Sequence, residues 1–173
     1  MFTRLAAPAA ALLLLGAVAH AQSAKPDDAQ IAHIAYTAGQ IDIANAEQAM
    51  KKSKSQEVRD FAQSMLRDHK AVNEQALALV KKLNVTPKEN DTSKSITKAQ
   101  TDKRAELEKL NGAAFDKAYA ANEAAYHKTV NGALEQTLIP SASNGELKSL
   151  LQTGLKIFQG HQQHAEQLAA GLK

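Results

Sequence analysis

Apolar residues recur at alternating steps of four and three along this chain, and three of these stripes carry a histidine. Such spacing places every member of a stripe on one line down an α-helix, and that line then packs against other helices. The three stripes are Val58, Ala62, Met65, His69, Val72, Ala76, Leu79 and Leu83; Leu147, Leu151, Gly154, Phe158, His161, Ala165, Leu168 and Leu172; and Ala113, Asp116, Ala120, Glu123, His127, Val130 and Leu134. The pattern predicts amphipathic helices that each direct an imidazole into a shared core.

Four long helices are predicted, and no strand, because no segment shows sustained two-residue alternation with β-branched residues. The expected long helices run from about Ala29 to Lys52, from just after Ser53 to Leu83, from Ala113 to Leu138, and from the Ser143–Glu146 capping sequence to Leu172. The third should stop before Pro140, since the residue before a proline disfavours helical backbone. Residues 84–95 are expected to form a crossover loop, followed by a shorter helix from about Thr97 to Leu110. Two helix pairs joined by one long connection predict an all-α four-helix bundle.

The first 21 residues are predicted to be a cleavable signal peptide. Arg4 precedes an apolar run over residues 5–18, and Ala19-His20-Ala21 has the small-x-small pattern of a cleavage site. The apolar run is shorter than the roughly 20 residues of a membrane span. We therefore expect a short flexible N-terminus over residues 22–28, a bundle over residues 29–173, and a mature protein exported to the bacterial periplasm without a membrane span.

The composition excludes several kinds of chemistry. The chain has no cysteine, which excludes disulfides, thiol catalysis, cysteine-ligated zinc, iron–sulfur clusters and covalently attached haem. Its formal charge is +3 with no block of like charge, so nothing indicates a nucleic-acid surface. Neither a nucleophile-elbow motif nor a glycine-rich phosphate loop is present, and we predict no catalytic residues. A protein partner or a homo-oligomer stays open.

Metal binding is the sharpest functional prediction. Inward side chains on facing helices build the metal sites of helix bundles, and the predicted ligands are His69, Glu123, His127 and His161. The first helix offers further candidates, which are Gln40, Asp42 and Glu47. Asp116 and Tyr119 are predicted to orient the ligands without touching the metal. A histidine-rich set favours one zinc, copper, nickel or iron ion over magnesium or calcium.

The alternative is a non-catalytic structural or interaction protein in which the histidines form a core hydrogen-bond network. A single buried histidine is usually satisfied by a nearby polar partner, and Tyr36, Tyr119 and Tyr126 supply hydroxyl groups. The chain contains no Glu-x-x-His sequence, so a di-iron oxidase centre is not expected. Geometry discriminates between the two readings: convergent nitrogens favour a metal, and rings that each pair with their own tyrosine or aspartate favour a structural role.

Several segments together resemble the DUF4142 family of exported ferritin-like bundles of unknown function. These segments are Phe61-Ala62, Met65 and Asp68-His69; Leu110-Asn111-Gly112-Ala113-Ala114-Phe115-Asp116-Lys117-Ala118-Tyr119; His127; and His161-Gln162-Gln163-His164-Ala165. The resemblance implies a ferritin-like four-helix bundle in a Gram-negative envelope, with a stress- or metal-related role but no established activity. The family often has Glu where this chain has Gln40. Because an amide is a weaker ligand than a carboxylate, this departure shifts the expected site towards the histidines and Glu123.

Overall fold

The computed structural model describes residues 25–172, and within that range the chain forms helices and no strand. The helices are α1 (Asp28–Lys52), α2 (Gln56–Lys82), α3 (Asp91–Glu108), α4 (Gly112–Ala133), α5 (Ile139–Ser141) and α6 (Gly145–Gly171), with a π-helical turn at Leu134–Leu138 between α4 and α5. The predicted signal peptide, residues 1–21, lies outside the described range. None of the helices in residues 25–172 is both long and apolar enough to span a membrane.

The four long helices pack as two pairs. Helix α1 lies against α2 and α4 lies against α6, while contacts between α2 and α6 and between α1 and α4 join the pairs. Helix α3 belongs to the long connection between the pairs and packs against α1 and α4. This arrangement confirms the predicted all-α four-helix bundle with an extra helix in its crossover, the connectivity of ferritin-like folds.

The crossover helix begins earlier than the sequence analysis predicted. Helix α3 starts at Asp91 rather than near Thr97, because Asn90 caps it. The Asn90 side chain accepts a hydrogen bond from the Ser93 backbone N–H at 3.0 Å, and the Ser93 hydroxyl oxygen accepts one from the Asn90 N–H at 3.1 Å. Such a reciprocal cap satisfies two helix-end donors without any apolar stripe, which explains why the periodicity did not reveal it.

The prediction that the helix ends before Pro140 was also wrong. Helical backbone continues to Ser141 by way of the π turn, in which the Ile139 N–H donates to the Leu134 carbonyl oxygen. A proline lacks a backbone N–H and its ring clashes with the carbonyl group four residues earlier. A π turn already departs from four-residue bonding, so Pro140 can lie in the helical segment that follows it.

Two apolar clusters fill the bundle. The cluster that we call the hairpin core lies towards the connection between α1 and α2, and its largest members are Phe61, Met65, Leu107, Phe115 and Tyr119. The cluster that we call the crossover core lies towards the start of the long connection, and it consists of Ile31, Ile34, Leu134, Leu138, Ala142, Leu147, Leu151 and Phe158. Polar side chains occupy the level between the two clusters.

Candidate metal centre

Five ionisable side chains form a layer between the hairpin core and the crossover core. They are Asp42 on α1, His69 on α2, Glu123 and His127 on α4, and His161 on α6. Each is between 0% and 7% exposed. Every long helix therefore contributes to the layer, although burying polar groups is unfavourable unless something compensates them.

The potential ligand atoms converge in two overlapping sets. In each set, one ligand atom per residue lies within 4.8 Å of the others; one set is His69, His127 and His161, and the other is Asp42, Glu123 and His127. Asp42 Oδ2 lies 3.5 Å from His69 Nε2, and Asp42 Oδ1 lies 4.0 Å from His127 Nε2. The structure thus brings together the four predicted ligands and adds Asp42, one of the three candidates from the first helix.

Hydrogen bonds orient two of the three imidazoles. His161 Nε2 lies 3.0 Å from Asp68 Oδ2, so its N–H donates to that carboxylate and Nδ1 stays without a partner. His127 Nδ1 lies 3.0 Å from the Glu123 carbonyl oxygen, which can only accept, so Nδ1 carries the proton and the Nε2 lone pair is free. Such outer contacts fix the tautomer of a metal-ligating histidine.

His69 is held mainly by packing, and its polar contact with Asp42 is long. Its ring stacks on Phe158 with the centroids 4.6 Å apart and the planes 7° apart. Neither ring nitrogen has a hydrogen-bond partner within residues 25–172. Its ring centroid lies 5.2 Å from that of His161 and 5.6 Å from that of His127. Burying a ring nitrogen without a partner destabilises the folded protein. Among the residues of the layer, His69 would therefore gain the most from a bound ligand.

Two amides hold the glutamate. Glu123 Oε1 accepts from Asn45 Nδ2 at 3.1 Å and from Asn122 Nδ2 at 3.3 Å. Glu123 Oε2 and Asp42 Oδ1 are buried without a partner in the described part of the chain. Each carboxylate therefore keeps an oxygen available for a cation.

Burial keeps the histidines neutral. It lowers the pKa of His127 to about 4, and the charge of His161 acts in the same direction. It lowers the pKa of His69 well below its usual value, and it also lowers that of His161 although Asp68 opposes the shift. Only a neutral imidazole has the lone pair that binds a metal, so the three rings are ready to ligate at neutral pH.

The same burial keeps protons on the carboxyl groups. It raises the pKa of Asp42 well above its usual value, and the nearby charge of Glu123 adds to the rise. Burial raises the pKa of Glu123 to about 7, although hydrogen bonds with Asn122, Asn45 and Asp42 lower it. A cation bound in the layer would replace these protons and favour the charged carboxylates.

Three other predicted residues are not among the converging ligand atoms. Gln40 is exposed, and its amide donates to the Tyr36 hydroxyl oxygen at 2.9 Å. Asp116 is buried, but its eleven-residue separation from His127 corresponds to about 16 Å along a helix. Tyr119 is buried one turn before Glu123; burial and then the charges of Glu123 and Asp42 raise the pKa of its hydroxyl, which has no hydrogen-bond partner within residues 25–172.

Asp68 and Asn45 support the site but were not assigned a role from the sequence. Asp68 precedes His69 directly and lies on a neighbouring face of α2, from which it reaches across to His161. Asp42 and Asn45 follow Ala38 at steps of four and three, so both continue the apolar line of the first helix. That continuation was the available signal for the contribution of α1.

The fold and the layer together define an all-α bundle with a buried histidine–carboxylate cluster. The family model described as "Domain of unknown function (DUF4142)" matches residues 15–168. The chain therefore belongs to the DUF4142 family, in agreement with the resemblance found in its sequence. Comparison with curated proteins and comparison with solved structures gave no match.

Proposed function

We propose that this protein is exported to the periplasm and binds one transition-metal ion in the polar layer. The ligands are His69, His127 and His161, with Glu123 and Asp42 as carboxylate ligands. The observation that carries the proposal is the convergence of buried ligand atoms in two sets that share His127 and that together include residues of all four long helices. Export rests on the sequence of residues 1–21.

The donor set fits a borderline cation. Imidazole nitrogens suit zinc, copper, nickel and iron, whereas magnesium and calcium take oxygen ligands almost exclusively. Two carboxylates match the charge of a divalent ion once they have lost their protons. A bound ion would also give partners to His69, His127 and His161, each of which has a free ring nitrogen in this structure.

The contacts around the rings support metal binding over a hydrogen-bond network. In a network each ring would pair with its own tyrosine or aspartate, but in residues 25–172 only His161 has such a hydrogen bond, with Asp68. The Tyr126 hydroxyl donates to the Ala38 carbonyl oxygen at 3.3 Å instead of to a ring. Asp42 Oδ2 lies 3.5 Å from His69 Nε2, but the two atoms make no hydrogen bond.

Elemental analysis of the mature chain, residues 22–173, purified from its native compartment without an affinity tag, tests the proposal directly. We expect one equivalent of metal per chain, and we expect His127→Ala to lose it. A metal-free protein whose melting temperature ignores added zinc, copper(II) and iron(II) would overturn the proposal.

A matched pair of variants on α6 distinguishes a metal ligand from a histidine outside the layer. His161 belongs to the layer, whereas His164, one turn away, is exposed and meets Phe61 edge-on with the centroids 5.0 Å apart. His161→Gln should fold and lose the rise in melting temperature that metal produces, and His164→Gln should keep it. Equal metal responses in the two variants would show that the ion binds elsewhere.

A further inference from the structure

The crossover core contains an apolar cavity of about 100 Å³ that is partly open to solvent. Residues of α1, α2, α3, α4, the π turn and α6 form its walls. The residues with small side chains in these walls are Ala32, Ala35, Ala38, Ala76, Ala133 and Gly154. The cavity exists because small residues stand where larger ones would fill the space between the helices.

The π turn shapes one side of this cavity. Leu134 and Leu138, its first and last residues, both line the space. A π turn adds a residue to the helical turn and so changes the direction in which the following side chains point. Such turns often occur at functional sites, and this one lies beside a cavity rather than in a packed region.

Three of the four polar side chains in the walls have partners, and the fourth, Thr92, is exposed. The Tyr126 hydroxyl donates to the Ala38 carbonyl oxygen at 3.3 Å, and the Thr129 hydroxyl donates to the Ala125 carbonyl oxygen at 3.0 Å. Asn73 Nδ2 donates to the Tyr36 carbonyl oxygen at 3.4 Å. The cavity therefore offers a ligand mainly hydrocarbon surface, and a charged or strongly polar molecule would lose its hydration there without compensation.

Phe158 separates the cavity from the polar layer. One side of its ring stacks on His69, and the same residue lines the cavity. Tyr126 also lines the cavity, and its ring centroid lies 6.2 Å from that of the adjacent His127. A molecule in the cavity would thus lie one aromatic ring away from the histidines.

We propose that this cavity is a binding site for a small uncharged apolar molecule, such as a hydrocarbon of about six carbon atoms. An apolar cavity about half again as large, engineered into another protein, stays dry and binds benzene or xenon. A ligand here would gain the dispersion contacts that the wall atoms lack while the space is empty. This site is distinct from the proposed metal centre and does not require a metal.

Thermal unfolding of the mature chain in saturating benzene, with EDTA present, tests this site. We expect the melting temperature to rise by about 3 °C, the response to ligand at a several-fold excess over its dissociation constant. Ala76→Leu places a large side chain in the cavity and should abolish the rise. Ala78→Leu makes the same substitution two residues away at an exposed position outside the walls, and it should keep the rise.

Two results would overturn the proposal. One is an unchanged melting temperature of the wild-type chain in benzene, and the other is an equal rise in Ala76→Leu and Ala78→Leu. A crystal of the wild-type chain under xenon pressure provides a measurement that does not depend on whether a variant folds. Xenon density between Phe158 and Leu138 would support the site, and its absence there would refute it.

Discussion

The hairpin core and the crossover core lie at opposite ends of one bundle, yet they are packed differently. In the hairpin core Phe61, Met65, Phe115 and Tyr119 are fully buried, and the rings of Phe61 and Tyr119 meet edge-on at 6.1 Å. In the crossover core most large apolar side chains retain some exposure, 9% for Phe158, although Ile31 is fully buried, and six of the eight members line the cavity. Side chains fill the hairpin end of the bundle, whereas the crossover end contains a cavity.

Helix α2 shows this difference along one stripe. Its first half buries Val58, Ala62 and Met65 completely, whereas Val72 and Ala76, in the second half of the same stripe, are only half-buried and line the cavity. His69 lies between the fully buried part of the stripe and the half-buried part. We infer that the hairpin core contributes most of the stability, and that the polar layer and the crossover core are the parts that bind ligands.

The strongest test of the difference in packing between the two cores is to make the same substitution in each half of α2. Ala62→Leu should destabilise the protein by about 1–3 kcal/mol, because the hairpin core has no room for three more carbon atoms. Ala76→Leu should instead stabilise it by about 1 kcal/mol, because the new side chain fills existing space. Urea unfolding with EDTA present measures both values. A loss of similar size in the two variants would mean that the two cores are equally packed.

The layer between the cores should respond to pH in a way that the apolar cores do not. Without a cation the pKa of Glu123 is about 7, so below pH 7 an incoming metal must displace its proton. The affinity should fall by at least tenfold for each pH unit below 7, about 1.4 kcal/mol per unit for the Glu123 proton alone, and more steeply where the proton of Asp42, whose pKa is also raised, must be displaced as well. Because the pKa of His127 is about 4, protons do not compete with the metal for that ring over most of this pH range.

Calorimetric titration with zinc at pH 5, 6 and 7 measures this dependence, and repeating it in buffers of different ionisation enthalpy counts the protons released. In Glu123→Gln the zinc affinity should depend less steeply on pH, because this variant has no carboxyl proton at position 123 to release. An affinity of the wild-type chain that stays constant between pH 5 and 7 would exclude Glu123 as a proton-releasing ligand.

The smallest expected effect concerns the residue at the boundary. His69→Leu should stabilise the metal-free protein by about 1 kcal/mol, because it removes buried nitrogens that have no partner. The same variant should lose the stabilisation by metal. His33→Leu is the control, since that ring is half-exposed and interacts locally with Thr37, and its effect should stay within about 0.5 kcal/mol. A metal-free His69→Leu protein that is less stable than wild type would assign the ring a structural role.

Periodicity in the sequence determined most of the fold and the inward direction of the histidines. Helical spacing is a local property, so His69, His127 and His161 could each be placed on a buried line before any packing was known. Glu123 followed because it lies one turn from His127 on the same line. Polar helix ends carry no such period, which is why the early start of α3 at Asp91 escaped the prediction.

Only the tertiary structure decided which side chains meet. The axial stagger of neighbouring helices depends on the packing of whole faces, and it set Asp42 of α1 level with the histidines. The same stagger brought Asp68 of α2 to His161 of α6, a contact between residues 93 positions apart. The cavity is likewise a property of the assembled bundle, because its empty volume is set by side chains from all the long helices together.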